Sequence, residues 1–533
     1  MKKIILSTLP LLICLPVSAQ HDPGRNATRL LAKGETEAAT QLVSKAPRKM
    51  NSPISEAERL FVLTMAACIE GDADAALKHA QQAVANGLPV ERLQAGPRDV
   101  LAPLYANNAF KTWLETRKKT LIHGPLLGSV TDSSASFWIR TAGESDVRVV
   151  VHTLAKDVSV GKPISAKTRT SAARDYTATV NVSGLKPTTR YRYEVTVDEQ
   201  KTGEPADFQT SPEQGAASRF SIAFGGGAGF TPQYERMWTT IDRRNPHALL
   251  LLGDNVYIDD PTHPLSQRYC YYRRQSQPEW QRLVATTSVF TIYDDHDFGT
   301  NDCKPGPEIE MPAWKRPVWE VFRQNWNNPA YGGGSKQPGC WYDFHIGDVH
   351  FIMLDGRYYR DLPGGSMLGP VQKKWLLETL QSSKGKFKVL ASPVPWSPGV
   401  KPGSKDTWDG FPDEREEIFS FIEKQKIDGV ILMAADRHRS DLRKIKRPNG
   451  YDLYEVMSSR LTNVHTHGLM ENAKGSELIM GYNKKCSFGL MDFDTTQENP
   501  QVTYRIINID NQEIDSRTLK LNQLTTRNHT KKE

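Results

Sequence analysis

Ala248-Leu249-Leu250-Leu251-Leu252-Gly253-Asp254-Asn255-Val256-Tyr257 is the stretch on which the fold turns. A continuous apolar run from Ala248 to Leu252 has the length of a buried strand, and it stops at Gly-Asp. The same pattern returns twice. Val289 to Tyr293 stops at Asp294-Asp295-His296-Asp297, and Val430 to Ala435 stops at Asp436-Arg437-His438. Strands buried on both faces belong to α/β-type sheets, whose ligands gather at the carboxyl ends of the strands. Three separated segments are therefore expected to converge on one site built from metal-ligating residue types.

Working outward, the pattern around this run alternates strands with helical segments from Ser218 onwards. Arg219 to Phe224 reads as a strand and Gly225 to Gly229 as a turn. Pro232 to Arg243 reads as a helix with Thr231 at its N-cap and Pro232 at its first position. Further strands are expected at His350–Leu354, Phe387–Ala391, Gly429–Met433, Leu453–Met457, Gly489–Phe493 and Val502–Ile507. Pro/Gly-rich excursions at Tyr331 to Ser335 and Ser397 to Asp409 are placed as walls over the site.

Upstream, between Gly124 and Pro212, the apolar period changes to two. Ser134–Arg140, Val147–His152, Tyr176–Val180 and Tyr191–Val195 alternate like half-buried antiparallel strands. Leu185 to Tyr193 resembles the tyrosine-corner region of fibronectin type III sandwiches, which implies a sandwich of about 90 residues. Before it, Asn26 to Lys119 is helical in pattern, and Gly71 to Val84 resembles one tetratricopeptide-type hairpin. A single copy falls short of a stacked array, so a small helical region packed on its neighbour is the simpler reading.

Met1 to Gln20 has the layout of a secretory signal: Lys2 and Lys3, an apolar segment from Ile4 to Val17, and a small-residue cleavage site at Val17-Ser18-Ala19. A secreted or periplasmic protein is expected. The formal charge of +7 falls to +5 without those two lysines, which gives no case for nucleic-acid binding. Nothing beyond the first 20 residues has the length and apolarity of a bilayer span. Cys68, Cys270, Cys303, Cys340 and Cys486 show no CxxC spacing, so zinc-finger chemistry is excluded while one or two disulfides are permitted.

The chemistry sits in the three clusters. In Gly253-Asp254-x-x-Tyr257, a carboxylate at a strand end can bridge two cations, and a phenolate is a hard donor for a Lewis-acidic metal. Four ionisable groups at 294–297 repel one another unless a cation or base compensates them. Arg437 and Arg439 flank His438, and basic side chains beside metal ligands suit phosphate.

Together Gly253 to Tyr257, Asp294 to Asp297, Met353 to Asp361, Leu368 to Gln372, Trp408 to Pro412 and Asp436 to Ser440 resemble the alkaline phosphatase D (PhoD-like) metallophosphatases, related to purple acid phosphatases. The resemblance implies an α+β multidomain chain. A calcineurin-like metallophosphoesterase β-sandwich flanked by helices (214–512) would follow a fibronectin III/Ig-like β-sandwich (120–213) and an α-helical region (20–119), with a signal peptide at 1–19 and a polar tail at 513–533. It implies hydrolysis of phosphate mono- or diesters, with Asp254, Tyr257, Asp295, Asp436 and His438 as metal ligands. His296 and Arg357 become the catalytic residues, and Asn255, Arg357, Arg437 and Arg439 the substrate contacts. Calcium with iron or zinc is the implied metal content. One position departs from the family: Gly227 stands where a cysteine usually ligates iron. That leaves open a different metal, a compensating ligand such as Asp259, or a degenerate phosphatase fold serving as a secreted binding protein.

Overall fold

The computed structural model describes residues 22–46 and 53–526. The expected signal segment and the last seven residues lie outside them. Seven strands come first: β1 (Leu121–Gly128), β2 (Ser134–Thr141), β3 (Asp146–Ala155), β4 (Val158–Arg169), β5 (Thr177–Ser183), β6 (Arg190–Val197) and β7 (Gln200–Gln209). The core then contributes β8 (Arg219–Gly225), β9 (Ala248–Leu252), β10 (Ser288–Ile292), β11 (Tyr342–Ile346), β12 (Val349–Met353), β13 (Phe387–Ala391) and β14 (Val430–Ala434). It closes with β15 (Ser440–Ile445), β16 (Leu453–Ser458), β17 (Glu477–Tyr482), β18 (Ser487–Asp494), β19 (Gln501–Asn508) and β20 (Glu513–Lys520).

Two large sheets face each other. One runs β20-β19-β18-β8-β9-β10-β1-β2-β5 and the other β11-β12-β13-β14-β16-β15-β17. Phenylalanines fill the space between them: Phe290 of β10 stacks on Phe344 of β11 at 3.8 Å, and Phe220 of β8 meets Phe351 of β12 at 6.5 Å. β8, β9 and β10 are parallel, as are β12, β13, β14 and β16, so both sheets send several carboxyl ends toward one rim. All five residues of β9, β10, β13 and β14 are buried, which is why their sequences show no alternation.

Strands β1-β2-β5 and the four-stranded sheet β4-β3-β6-β7 pack against each other through Phe137, Tyr193 and Phe208. Lys186 N donates to Tyr191 Oη at 2.8 Å. These strands are continuous with the core, because β1 pairs with β10 at Gly128↔Val289 and joins the nine-stranded sheet. Among the described residues Cys68, Cys270, Cys303, Cys340 and Cys486 are all free.

Two expectations about elements are corrected. Pro232 to Arg243 splits into a 3₁₀ turn (Pro232–Tyr234) and a short helix (Met237–Asp242), and Thr231 makes no side-chain cap. At the break, the Glu235 carboxylate accepts from Trp238 Nε1 and Arg274, a buried cluster that fixes this turn in place. The expected polar tail begins with β20, which pairs along β19 with nearly every side chain exposed and charges along its length; an edge strand of that kind carries no hydrophobic signal.

The N-terminal region folds as helices. Glu56–Ile69 and Ala73–Ala85 form a hairpin turned at Gly71-Asp72, where Asp72 accepts from Ala75 N at 2.9 Å. The first helix, Pro23–Ala32, is capped by Asp22 and lies on the core helix Pro264–Gln275. A Cβ on Gly24 would sit 2.3 Å from Tyr269 Oη, so this crossing needs a glycine.

Candidate metal centre

The three clusters meet. Gly253 lets the ends of β9 and β10 approach, for it has φ +104° and a Cβ there would lie 2.4 Å from that of Asp294. Asp254 Oδ2 accepts from Tyr257 Oη at 3.1 Å and lies 3.8 Å from His438 Nε2, which is itself 3.3 Å from Tyr257 Oη. Asp254, Asp295 and His296 offer ligand atoms within 4.8 Å of one another. Asp254, Asp436 and His438 all take left-handed backbone, with φ of 53°, 65° and 45°. Such conformations cost roughly 1–3 kcal/mol each and persist only where the surroundings impose them, as at functional sites.

A cavity of about 640 Å³ opens over these residues, lined by Asp254, Asp295, His296, Asp436, Arg437 and His438. Burial pushes the Asp254 carboxyl well above the usual range, and Asp295 and Asp294 add to the rise. Burial likewise raises Asp436, and it holds His438 neutral together with the neighbouring His467 and His465. Asp254 Oδ1, Asp295 Oδ1, Asp436 Oδ2 and His438 Nδ1 are buried and without a hydrogen-bond partner. Four ligand atoms without hydrogen bonds around one cavity fit a cation, with Arg357 at 3.6 Å from Asp295 Oδ1 and Arg437 at 3.9 Å from Asp436 Oδ2 compensating two of them only in part.

His296 sits where it can face both the carboxylates and the cavity. Its Nδ1 pairs with Asp259, and Asp259 pairs with Arg25 of the first helix. Burial works against the charge on Asp259, yet His296 and Arg25 prevail and hold the carboxyl down to about 2. The same neighbours, Asp295 and Asp259 foremost, overcome burial to raise His296 well above its ordinary range. Asp259 therefore orients His296 and is not available as a replacement ligand beside Tyr257.

Three expected substrate contacts are placed elsewhere. Arg357 is fully buried; its Nε donates to Asp294 and its Nη1 to Asp406 at 2.6 Å and to the Cys303 carbonyl at 3.3 Å. Its donors are engaged by an internal ion network, so it does not reach the cavity. Asn255 is also buried and donates to the Ile292 carbonyl at 2.7 Å, tying β9 to β10. Arg439 lies beneath the site with Nε on Asp441 at 2.9 Å. Arg437 alone of the four lines the cavity. The structure also adds residues. Lys401 reaches the wall from the Pro/Gly-rich excursion, ion-paired to Asp302 and Asp406 at 3.1 Å. Arg25, Asn26 and Arg29 come from the first helix, and His465 and His467 from the loop after β16. The His-x-His spacing at 465–467 was visible in the sequence; no local signal places Arg25 beside a segment 234 residues away.

Gly227 is built into this geometry. It has φ +67°, and a Cβ there would lie 2.9 Å from Arg460 N and 3.0 Å from Ser459 Oγ. The position that holds a cysteine in the resembled pattern has no room here for any side chain. Instead, Asn463 Nδ2 donates to Tyr257 Oη at 2.8 Å and fixes the phenol.

Comparison with known proteins bears on the family and the fold. Residues 222–504 match the model of the PhoD-like phosphatases, and residues 118–215 match a domain of unknown function. Alkaline phosphatase D of Bacillus subtilis is 23% identical over 320 residues, 49% of this chain and 53% of that protein, so the match spans about half the length of the curated relative. Among solved structures, that of PhoD superposes with a TM-score of 0.64 at 16% identity, covering 75% of this chain and 90% of the other. Purple acid phosphatase from yellow lupin seeds gives 0.57 at 14% identity, covering 75% of each chain. These likenesses support the fold, and the matched family model covers the strands and loops that build the cavity. The chain belongs to the PhoD-like phosphatase family.

Proposed function

We propose that this chain is an exported, metal-dependent phosphoesterase that hydrolyses phosphate mono- or diesters. The observation that carries the reading is the convergence of Asp254, Asp295, Asp436 and His438 on one cavity, with Tyr257 Oη in contact with Asp254 and His438 behind it and buried ligand atoms left without hydrogen bonds. These residues would hold the metal ions, calcium with iron or zinc, and bound cations supply charge to phosphoryl oxygens and lower the pKa of a water.

The chain's own side chains do the rest. Arg437, Arg29 and Lys401 place cationic groups on the cavity wall, where a phosphate dianion would lie. His296, fixed through Nδ1 by Asp259, presents its other ring nitrogen to the reacting region and donates a proton to the leaving oxygen. Asp294 and Arg357 keep Asp295 in place from below, and Asp302 N donates to Asp295 Oδ2 at 2.6 Å. Gly227 favours the second reading, a degenerate fold acting as a binding protein, since no side chain ligates there. The strained backbone at Asp254, Asp436 and His438 favours the enzyme.

The test is protein purified without a metal-affinity tag, stripped of metal, then reloaded with calcium, iron, zinc or manganese and assayed on p-nitrophenyl phosphate and bis-p-nitrophenyl phosphate. Metal-restored hydrolysis of either ester, lost together with bound metal in Asp254→Ala, is the expected result. Metal binding without hydrolysis of any ester would favour the binding protein.

A further inference from the structure

Three histidines crowd one corner of the cavity. His438 follows β14, while His465 and His467 come from the loop between β16 and β17; the ring centroids are 5.3 Å (438–465), 5.6 Å (438–467) and 4.5 Å (465–467) apart. One nitrogen from each lies within 4.8 Å of the others. The loop is held so that this happens: His465 N donates to Asn463 Oδ1 at 2.9 Å, Thr466 Oγ1 to the His438 carbonyl at 3.0 Å, and Asn483 Nδ2 to the His467 carbonyl at 3.0 Å. Arg460 adds bonds to the Asn463 and Val464 carbonyls.

These bonds fix the loop's backbone and leave the rings of His465 and His467 without a carboxylate partner among the described residues. His438 Nδ1 is buried and unpartnered in a residue only 4% exposed. Three imidazole nitrogens within 4.8 Å of one another suit what imidazole binds well: borderline transition-metal ions.

We propose that His465 and His467, together with His438 as the one ligand shared with the carboxylate cluster around Asp254 and Asp295, form a binding site for a zinc-type divalent cation. Three imidazoles leave a fourth position of a tetrahedral ion open, and all three residues line the cavity, so the open position faces the same space. A cation there adds positive charge at the rim without drawing on the hard oxygen ligands, which suit calcium instead. The site does not depend on the chain being a phosphoesterase.

The experiment is equilibrium dialysis of untagged, metal-stripped protein against Zn²⁺, with bound zinc counted by mass spectrometry for the parent, the H465Q/H467Q double variant and D295N. The double variant should lose about one equivalent of zinc per chain, while D295N retains the zinc held by imidazole. Both histidines lie on an irregular, partly exposed loop, and far-UV circular dichroism verifies that the fold persists. As a second measurement on unaltered protein, the zinc-edge X-ray absorption spectrum at one equivalent should show the outer-shell scattering of imidazole rings. Zinc content unchanged in the double variant, or a spectrum with oxygen ligands alone, overturns the site. A parent inactive on every ester that still loses zinc in H465Q/H467Q supports it independently of the enzymatic reading.

Discussion

Replacing Arg357 by methionine separates two roles that the residue type alone leaves mixed. The guanidinium joins Asp294 and Asp406, all three with at most 1% of the side chain exposed. Asp406 keeps Arg360 at 2.6 Å and Lys401 at 3.1 Å when Arg357 is gone, but Asp294 is left with no cation. One uncompensated buried charge costs about 3–5 kcal/mol, and that is the expected loss of stability for Arg357→Met by urea unfolding at pH 8. The loss should shrink as pH falls, because burial already raises the Asp294 carboxyl well above its ordinary range and a protonated acid needs no partner. Adding Asp294→Asn should recover a large part of it, giving a positive coupling in the double-mutant cycle. Substrate KM should move little in any variant that folds. An Arg357→Met protein as stable as the parent, with KM for a phosphoester raised tenfold or more, would refute the placement and restore the arginine as a phosphate clamp.

His296→Ala should slow an alkyl phosphate by about 10²–10⁴-fold and an activated aryl phosphate much less, with metal content unchanged; equal losses on both esters would point to charge stabilisation instead of proton donation. Arg25→Ala removes the cation behind Asp259 and should lower turnover by about 10–100-fold while leaving the carboxylate ligands in place; unchanged turnover would show that His296 needs no such support. His247 is buried against Ser211 Oγ at 2.9 Å, and burial lowers its pKa to about 4. The unfolded chain takes up this proton below about pH 6.5 and the folded chain does not, so stability is complete above 6.5 and falls as pH drops toward 4. At pH 5 the deficit is about 2 kcal/mol, and His247→Gln should abolish that part of the acid sensitivity in paired unfolding curves; an unaltered slope would mean the ring is protonated in the native state.

The parts of the fold that could be read from the sequence are those where burial is total. β9 begins and ends at the residues where its apolar run does, since both its faces are covered, and β13 keeps the expected bounds although Lys388 is buried within it, its Nζ donating to the Asp428 carbonyl at 2.9 Å. β20 could not be read this way, because an exposed edge strand is selected for charge and not for pattern. Asp254, Tyr257, Asp295, Asp436 and His438 were legible as strand-end clusters. Arg357 and Arg439 show the limit of that reasoning: an arginine next to a ligand is as well suited to anchoring acids from below as to meeting phosphate from above, and only packing decides. Arg25 and Lys401 were beyond reach, for their roles depend on long-range docking.

The first helix has a consequence for timing. Arg25 meets Asp259 across 234 residues, and Asp22 meets Arg273 across 251. Synthesis delivers the arginine early and its acceptors much later, so the helix waits undocked while β1 to β9 are made and before β10 joins the two parts of the nine-stranded sheet. The imidazole of His296 acquires its backing only when that wait ends. Backing of the His296 ring is thus tied to a long loop closure, out of reach of any nascent chain that ends before the helix carrying Arg273.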